Sequence, residues 1–359
     1  MSPDRVPDVT VVTVTYNGAH LVGPCLDGLA RQELDGLSMD VVVVDNASTD
    51  GTAELVARSH PGVRLIRSPT NRGFAGGNNL VLDHVTSPYV ILLNNDAVPE
   101  PGCVAALVRD LTAESPHVAA LTGKVLLTDR FRPARDDDPP QSIVVAPGGS
   151  YVRDGTGPIT LVNSTGNQVR RDGFGVDRGW LEDAETHHPD RDVFGFCGAA
   201  TILRTSALRD VGTFDEDFFL YYEDTDLSWR LRLAGYTIQH CPGAVVRHRH
   251  AASTSEGSEL FRFHDGRNRL LMLVKNATPT FAARAVAQFV LTTASIAVRR
   301  SQPWPHVRTR IRVLGSFVRL LPVALRERAA IRRGARVSRH EVELLLIPVP
   351  ARSAGGYRT

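Results

Sequence analysis

Three groups of side chains have the types and spacing to do chemistry. The first is Asn94-Asn95-Asp96, which ends the strand-like run inside residues 89–100, YVILLNNDAVPE. A carboxylate flanked by two amides suits a divalent cation and a diphosphate, because hard cations prefer oxygen ligands. The same aspartate would serve equally well as a cap on the helix starting near Pro101. The second group is Glu223-Asp224, followed by Asp226 and preceded by Phe218, Phe219, Tyr221 and Tyr222. Aromatic walls around acids raise their pKa values and suit general-base work. Acids at a helix start also satisfy the helix dipole, and Phe218 and Phe219 are equally core candidates. The third group is His248-Arg249-His250, two imidazoles at alternate positions on a strand end, which read as ligands or as structural histidines.

The elements that must hold these groups alternate between strand and helix. Residues 9–15, 39–44, 63–67 and 89–93 are β-branched or continuously apolar, the pattern of strands buried on both faces. Helices are expected at 19–32, 52–59 and about 78–85. This alternation implies a mainly parallel sheet with right-handed crossovers. Three of the four strands end in Asn or Asp clusters (Asn17, Asp45 to Asp50, Asn94 to Asp96). Turn residues gather at strand ends in any fold, but ligands of open α/β sheets bind outside the carboxyl ends of the strands. The segment 71–79, NRGFAGGNN, reads as a glycine-rich turn. Residues 130–141 read as an exposed loop inside a smaller, mixed sheet region. Strands are expected at 193–204 and 244–247, and a helix from about Thr225 to Gly235 with Glu223 and Asp224 at or before its N-terminus.

Several classes fall away. The first strand–helix turn lacks GxGxxG, which disfavours a nicotinamide or flavin enzyme, and GxxxxGK[ST] is absent. Cys25, Cys103, Cys197 and Cys241 show neither CxxC nor zinc spacing and read as small buried hydrophobes in a reducing compartment. With no apolar stretch at the N-terminus and no run of about 18 uncharged apolar residues, a cytoplasmic protein is expected. The net charge of +2 is uninformative, but arginines crowd 299–339. Residues 261–275 read as an amphipathic helix with a basic polar face. Residues 281–298 are apolar but broken by Arg284 and Gln288, too polar to span a membrane comfortably, and 309–333 alternate arginine with apolar residues. These helices either pack on the catalytic domain or across a homodimer, or attach to an anionic membrane surface. Nucleic acid is the weaker partner, and a disordered tail is expected from 348 to 359.

Taken together, VVTVTYN, VVDNASTDGT, NRGFAGGNN, LLNNDA, GAATILR with GTFDEDFFLYYEDTDLSWR, and VVRHRHAAST resemble the inverting family 2 glycosyltransferases of GT-A fold, nearest to their rhamnosyltransferase-like branch. The resemblance spans about residues 9–275. It implies an α/β catalytic domain over 1–257, a nucleotide-binding half at 9–128, an acceptor-binding half at 129–257, and a helical region at 258–347. It places Thr15, Tyr16 and Asn17 at the nucleotide pocket and Asp45 on the donor's base. Arg72, Gly73, Gly77 and Asn78 would lie over the ribose and diphosphate. Asp96 matches the last acid of the DxD motif and would ligate Mg2+ or Mn2+, with Asn94 in place of the first acid. His248 would complete the metal shell, with His250 a neighbour, while Asp224 would be the general base and Glu223 its partner in acceptor binding. The implied donor is a nucleotide-sugar, plausibly dTDP-rhamnose, and the acceptor a saccharide or lipid-linked glycan at the inner face of the cell membrane. The competing readings are a sugar-1-phosphate nucleotidylyltransferase, whose basic glycine-rich loop is missing here, and a sugar-nucleotide or glycan-binding protein without turnover.

Overall fold

A computed structural model describes residues 6–249 and 258–350. Four parallel strands open the chain: β1 (Val9–Thr15), β2 (Met39–Asp45), β3 (Arg64–Arg67) and β4 (Tyr89–Leu93). The crossovers are α1 (Val22–Ala30), α2 (Thr52–Ser59) and α3 (Gly73–Leu82). After β5 (Ala97–Pro99) and α4 (Cys103–Ala113), the long β6 (Val118–Pro133) carries β7 (Ile143–Ala146), β8 (Gly149–Arg153) and β9 (Ile159–Ser164) at its far end. β10 (Asn167–Val169) and β11 (Gly175–Asp177) form a separate hairpin. β12 (Ala200–Arg204) then enters the main sheet antiparallel to β4, followed by α5 (Thr205–Val211), α6 (Glu223–Leu233) and β13 (Thr237–His248). The main sheet runs β3-β2-β1-β4-β12-β6-β13-β5. This is the mixed, mainly parallel sheet that the resemblance implied.

Alternation along the strands fills two cores. Val9, Val11, Val43, Ile91 and Leu93 pack with Leu26, Leu107 and Leu111 of α1 and α4. Val12, Val42, Val44, Val90 and Leu92 face Ala75, Leu227 and Leu231 of α3 and α6. Burial on both faces is why these strands read as unbroken apolar runs. A third core lies among α6, α7 (Glu259–Asn276), α8 (Pro279–Arg299) and α9 (Trp304–Gly334), where Trp229, Leu270, Phe281, Phe289, Val313 and Phe317 meet. α10 (Arg339–Glu343) closes the described chain with a capping box from Ser338 and Glu341.

Several expectations are corrected. The glycine-rich 71–79 is no turn: α3 begins at Gly73. Residues 130–133 continue β6 rather than joining a loop, and Arg132 pairs with Asp138 at 2.6 Å. Only Ala200–Arg204 of 193–204 is strand. The basic residues of α7 do not form a solvated face, for Arg267, Arg269 and Lys275 are all buried. By length and composition α8 is apolar enough to cross a membrane, contrary to expectation. Within this fold it lays Phe281, Ala282, Ala285 and Phe289 on its neighbours and exposes Leu291 and Val298.

Candidate active site

The carboxyl ends of β1, β2 and β4 form one polar edge. Thr15, buried at the end of β1, accepts a hydrogen bond from Asn95 Nδ2 at 2.9 Å, tying that strand to the segment after β4. Gly18 makes this contact feasible, since a Cβ there would overlap Thr15 Oγ1 and Asn95 Nδ2. Asn17 takes a left-handed φ of 48° and accepts from Thr49 N at 2.8 Å, while Tyr16 stands half exposed. At the end of β2, Asp45 is buried; its Oδ2 accepts from Ser48 N at 3.3 Å and its Oδ1 has no partner among the described residues. A buried carboxylate oxygen without a donor is costly to leave unmade, so this atom is suited to a ligand N–H.

The start of α3 is held from within the protein. Phe74 N and Ala75 N both donate to the Phe219 carbonyl, at 2.7 and 3.3 Å. Gly73, at φ +69°, leaves room for that carbonyl where a Cβ would collide. At Gly77 a Cβ would meet Val14 of β1, so this glycine serves helix–sheet packing. Asn78 is buried and donates to Phe74 O at 2.8 Å, and Arg72 pairs with Glu216 at 2.7 Å. The glycine run therefore seats the helix on the sheet and against residues 214–222, and close approach to a ligand is not needed to explain it.

Beyond β4, Asp96 meets His248 from the end of β13, with Oδ1 to Nε2 at 3.0 Å, and Asn94 Nδ2 lies 3.4 Å from the same nitrogen. His248 Nδ1 faces Asn163 Oδ1 of β9 at 2.6 Å. With Nδ1 protonated toward that oxygen, an imidazolium pairs with the Asp96 carboxylate as an ion pair, whereas a neutral imidazole turns its Nε2 lone pair toward it. Two acceptors facing each other suit a shared cation. Among the described residues no three His, Cys, Asp or Glu side chains group as ligands, so a cation here would draw on Asp96, His248, the amides and its substrate. His250 lies outside the described residues.

The acidic pair stands in the first turn of α6, not before it, because Tyr222 in a left-handed conformation (φ 68°) is the residue that starts the helix. Asp224 Oδ2 accepts from Asn167 Nδ2 at 2.8 Å and from Gly198 N at 3.2 Å, and Oδ1 accepts from Thr225 N. Burial pushes its carboxyl above the usual range, against these hydrogen bonds. Glu223 is buried, its Oε2 has no partner among the described residues, and burial, reinforced by the charge of Asp224, raises it to about 8. Burial thus draws both acids toward their protonated forms, and of the two Asp224 is the one whose side-chain oxygens accept from several donors that favour its carboxylate. The pair lies close to the Asp96 cluster through the start of β12: Gly198 donates to Asp224, and the next residue, Ala199, accepts from Asn94 N at 3.1 Å.

The segment ahead of α6 is strained and clamped. Phe219, Tyr221 and Tyr222 all have φ between 63° and 69°, a conformation that bulky side chains avoid. Asn268 of α7, fully buried, donates to the carbonyls of Phe218, Leu220 and Tyr221, each at 2.8 Å. Arg267 donates to Asp217 O at 2.6 Å. Lys275 pairs with Asp215 (2.6 Å), Asp226 (3.1 Å) and Glu327 of α9 (3.0 Å). The aromatics divide accordingly: Phe218 is core, Phe219 stacks on His264, Tyr221 meets Phe261 edge-on, and Tyr222 accepts from Gly175 N. Sequence reasoning missed Asn163, Asn167, Gly198 and Asn268, since a single Asn or Gly carries no pattern of its own.

Buried acids beside an Asp–His pair, at the carboxyl edge of a mixed α/β sheet, form one site on the fold. The chain belongs to glycosyl transferase family 2, whose family model matches residues 10–212, and a related model, glycosyl transferase family group 2, matches 179–269. It is 30% identical over 266 residues to an N-acetylglucosaminyl-diphospho-decaprenol L-rhamnosyltransferase of Mycobacterium tuberculosis, covering 68% of this chain and 76% of that one. A pre-mycofactocin glycosyltransferase of the same organism is 26% identical over 260 residues, 72% of this chain and 46% of its own length. Among solved structures, that of GalNAc-T7 with UDP, GalNAc and Mn2+ superposes with a TM-score of 0.55 at 10% identity, over 86% of this chain and 55% of that one. The protein is a glycosyltransferase that draws on nucleotide-sugars.

Proposed function

We propose that the protein is an inverting transferase that moves rhamnose from dTDP-rhamnose to a hydroxyl of a lipid-linked glycan, with Asp224 as general base. The observation that carries the reading is the division of labour between two adjacent buried acids. Burial raises both, but Glu223 more visibly, to about 8, while Asp224 is held by the Asn167, Gly198 and Thr225 donors that favour its ionised form. Asp224 takes the proton of the acceptor hydroxyl as that oxygen forms its bond to the anomeric carbon; the bond to the diphosphate breaks with its electron pair on the leaving oxygen, and the centre inverts. Glu223, as a neutral donor, binds the acceptor. Asp96 and His248 would hold Mg2+ or Mn2+, which supplies charge neutralisation for the leaving nucleoside diphosphate. Thr15, Tyr16 and Asn17 border the nucleoside, Asp45 Oδ1 accepts from its base, Asn94 and Asn95 flank the diphosphate, and the Arg72 to Asn78 segment walls the pocket. Kinship with an enzyme of a decaprenol-linked substrate supports the donor and acceptor, and the exposed apolar face of α8 supports peripheral residence at the inner membrane face.

The test is a panel of dTDP-rhamnose, UDP-glucose, UDP-galactose, UDP-N-acetylglucosamine and GDP-mannose, each assayed for binding and donor hydrolysis with Mn2+ and with EDTA. Cation-dependent turnover of dTDP-rhamnose alone is expected. Turnover of another donor would overturn the sugar, and silence across the panel would overturn the catalytic reading.

A further inference from the structure

Away from the transfer site, a cleft of about 540 Å³ opens between the start of α8, the end of α9 and the turn into α10. Four arginines line it: Arg328, Arg332, Arg336 and Arg339. Arg328 spends its Nη1 on the carbonyls of Val274 and Ala277, and Arg339 spends its Nη2 on those of Lys275 and Arg328. Neither forms an ion pair among the described residues, nor does the exposed Arg332, and Arg339 Nε is buried without an acceptor. Arg336 pairs with Asp210 at 3.0 Å. Two further carboxylates lie nearby: Glu343 is engaged by Thr278 N and Oγ1, and Glu341 by Ser338 N. Thr278 and Pro279 also line the cleft, and as the cap and first residue of the 21-residue α8 they direct its positive end there.

Four guanidiniums gathered against three occupied carboxylates leave a positive field, and like charges held close in a cleft repel unless an anion joins them. Burial and the charges of Arg328 and Arg332 push the Arg339 guanidinium below its usual range, in keeping with that crowding. Guanidinium forks match phosphate oxygens two at a time. We propose that this cleft is a binding site for a phosphate or diphosphate group, separate from the nucleotide-sugar site and independent of the transfer reaction assigned above. The group arrives either on a lipid headgroup or free in solution, and one set of variants separates the two.

The test uses the full chain in EDTA, which suppresses cation-bridged binding at the transfer site. Titration calorimetry with inorganic pyrophosphate reads the free anion, and flotation with vesicles of phosphatidic acid in phosphatidylcholine reads the headgroup. Arg332→Glu reverses a charge that makes no ion pair among the described residues, and Arg308→Glu reverses an exposed arginine on the same helix outside the cleft. At least one probe should bind, weakened about tenfold or more by Arg332→Glu and about twofold or less by Arg308→Glu. Pyrophosphate binding without flotation would assign a soluble ligand, and flotation with the same variant pattern would assign a lipid. Absence of both, equal loss in both variants, or indifference to Arg332→Glu would overturn the site.

Discussion

Replacing Glu223 by Gln should stabilise the protein while leaving its chemistry nearly intact. Glu223 ionises at about 8 in the native state against an ordinary 4.5, because it is buried and faces Asp224. Below pH 4.5 both native and unfolded chains hold the proton and there is no penalty. As pH rises from 4.5 to about 8 the unfolded chain ionises but the native one does not, so native stability falls; above about 8 the loss is complete. At pH 7 this amounts to about 3 kcal/mol, from 1.36 kcal/mol per pKa unit. Glutamine has the shape of the neutral acid and no proton to lose. Urea denaturation of both proteins from pH 5 to 8 should show Glu223→Gln more stable at neutral pH, with the gap closing toward pH 5. Because Glu223 is mainly neutral at pH 7, turnover should fall by no more than about fivefold. A gap independent of pH, a less stable Gln variant at pH 8, or loss of transfer comparable to that of an Asp224 variant would refute this protonation assignment.

Gly73→Ala would drive a Cβ into the Phe219 carbonyl at a left-handed position; it should displace residues 214–222 and cut kcat well over tenfold, read beside near-UV circular dichroism. Asn268→Ala removes a donor from three carbonyls, and an expected loss of about 2 kcal/mol or more should appear as a lower urea midpoint together with weaker acceptor KM. Lys275→Met removes the buried cation that Asp215, Asp226 and Glu327 share, leaving Arg230 as the cation on Asp226, and should cost about 3 kcal/mol. His248→Ala should raise the Mn2+ concentration needed for half-maximal turnover by about ten- to a hundredfold, measured by metal titration of donor hydrolysis, and an unchanged requirement would remove His248 from the cation site.

Much of the architecture was legible because burial on both faces writes continuous apolar runs, as at Tyr89–Leu93, and strand ends write polar clusters. Asp96, Glu223, Asp224 and His248 stood out for a related reason, their types being unusual at such places, and the structure brings Asp96 against His248 and Glu223 beside Asp224 in the first turn of α6. Misreadings arose where tertiary contact overrode local preference. NRGFAGGNN has turn composition, yet its glycines let α3 settle on Val14 and take the Phe219 carbonyl. Residues 130–133 look like charged loop but are held as strand by pairing with β8 and β9. Arg267, Arg269 and Lys275 on α7 look solvated, but their partners come from residues 172–174, 215–226 and α9, too distant in the chain for periodicity to reveal.

The most direct test is a side-by-side measurement of Asp224→Asn and the unaltered protein, with donor binding by calorimetry and sugar transfer by product mass. The side chain keeps its size and most of its neighbours but can no longer accept a proton. The account predicts donor affinity within about threefold of the unaltered protein and transfer reduced about 10²–10⁴-fold. In the unaltered protein, transfer should decline as pH falls through the raised pKa of Asp224. Transfer at a near-normal rate by Asp224→Asn, or loss of donor binding along with it, would contradict the assignment of Asp224 as the base.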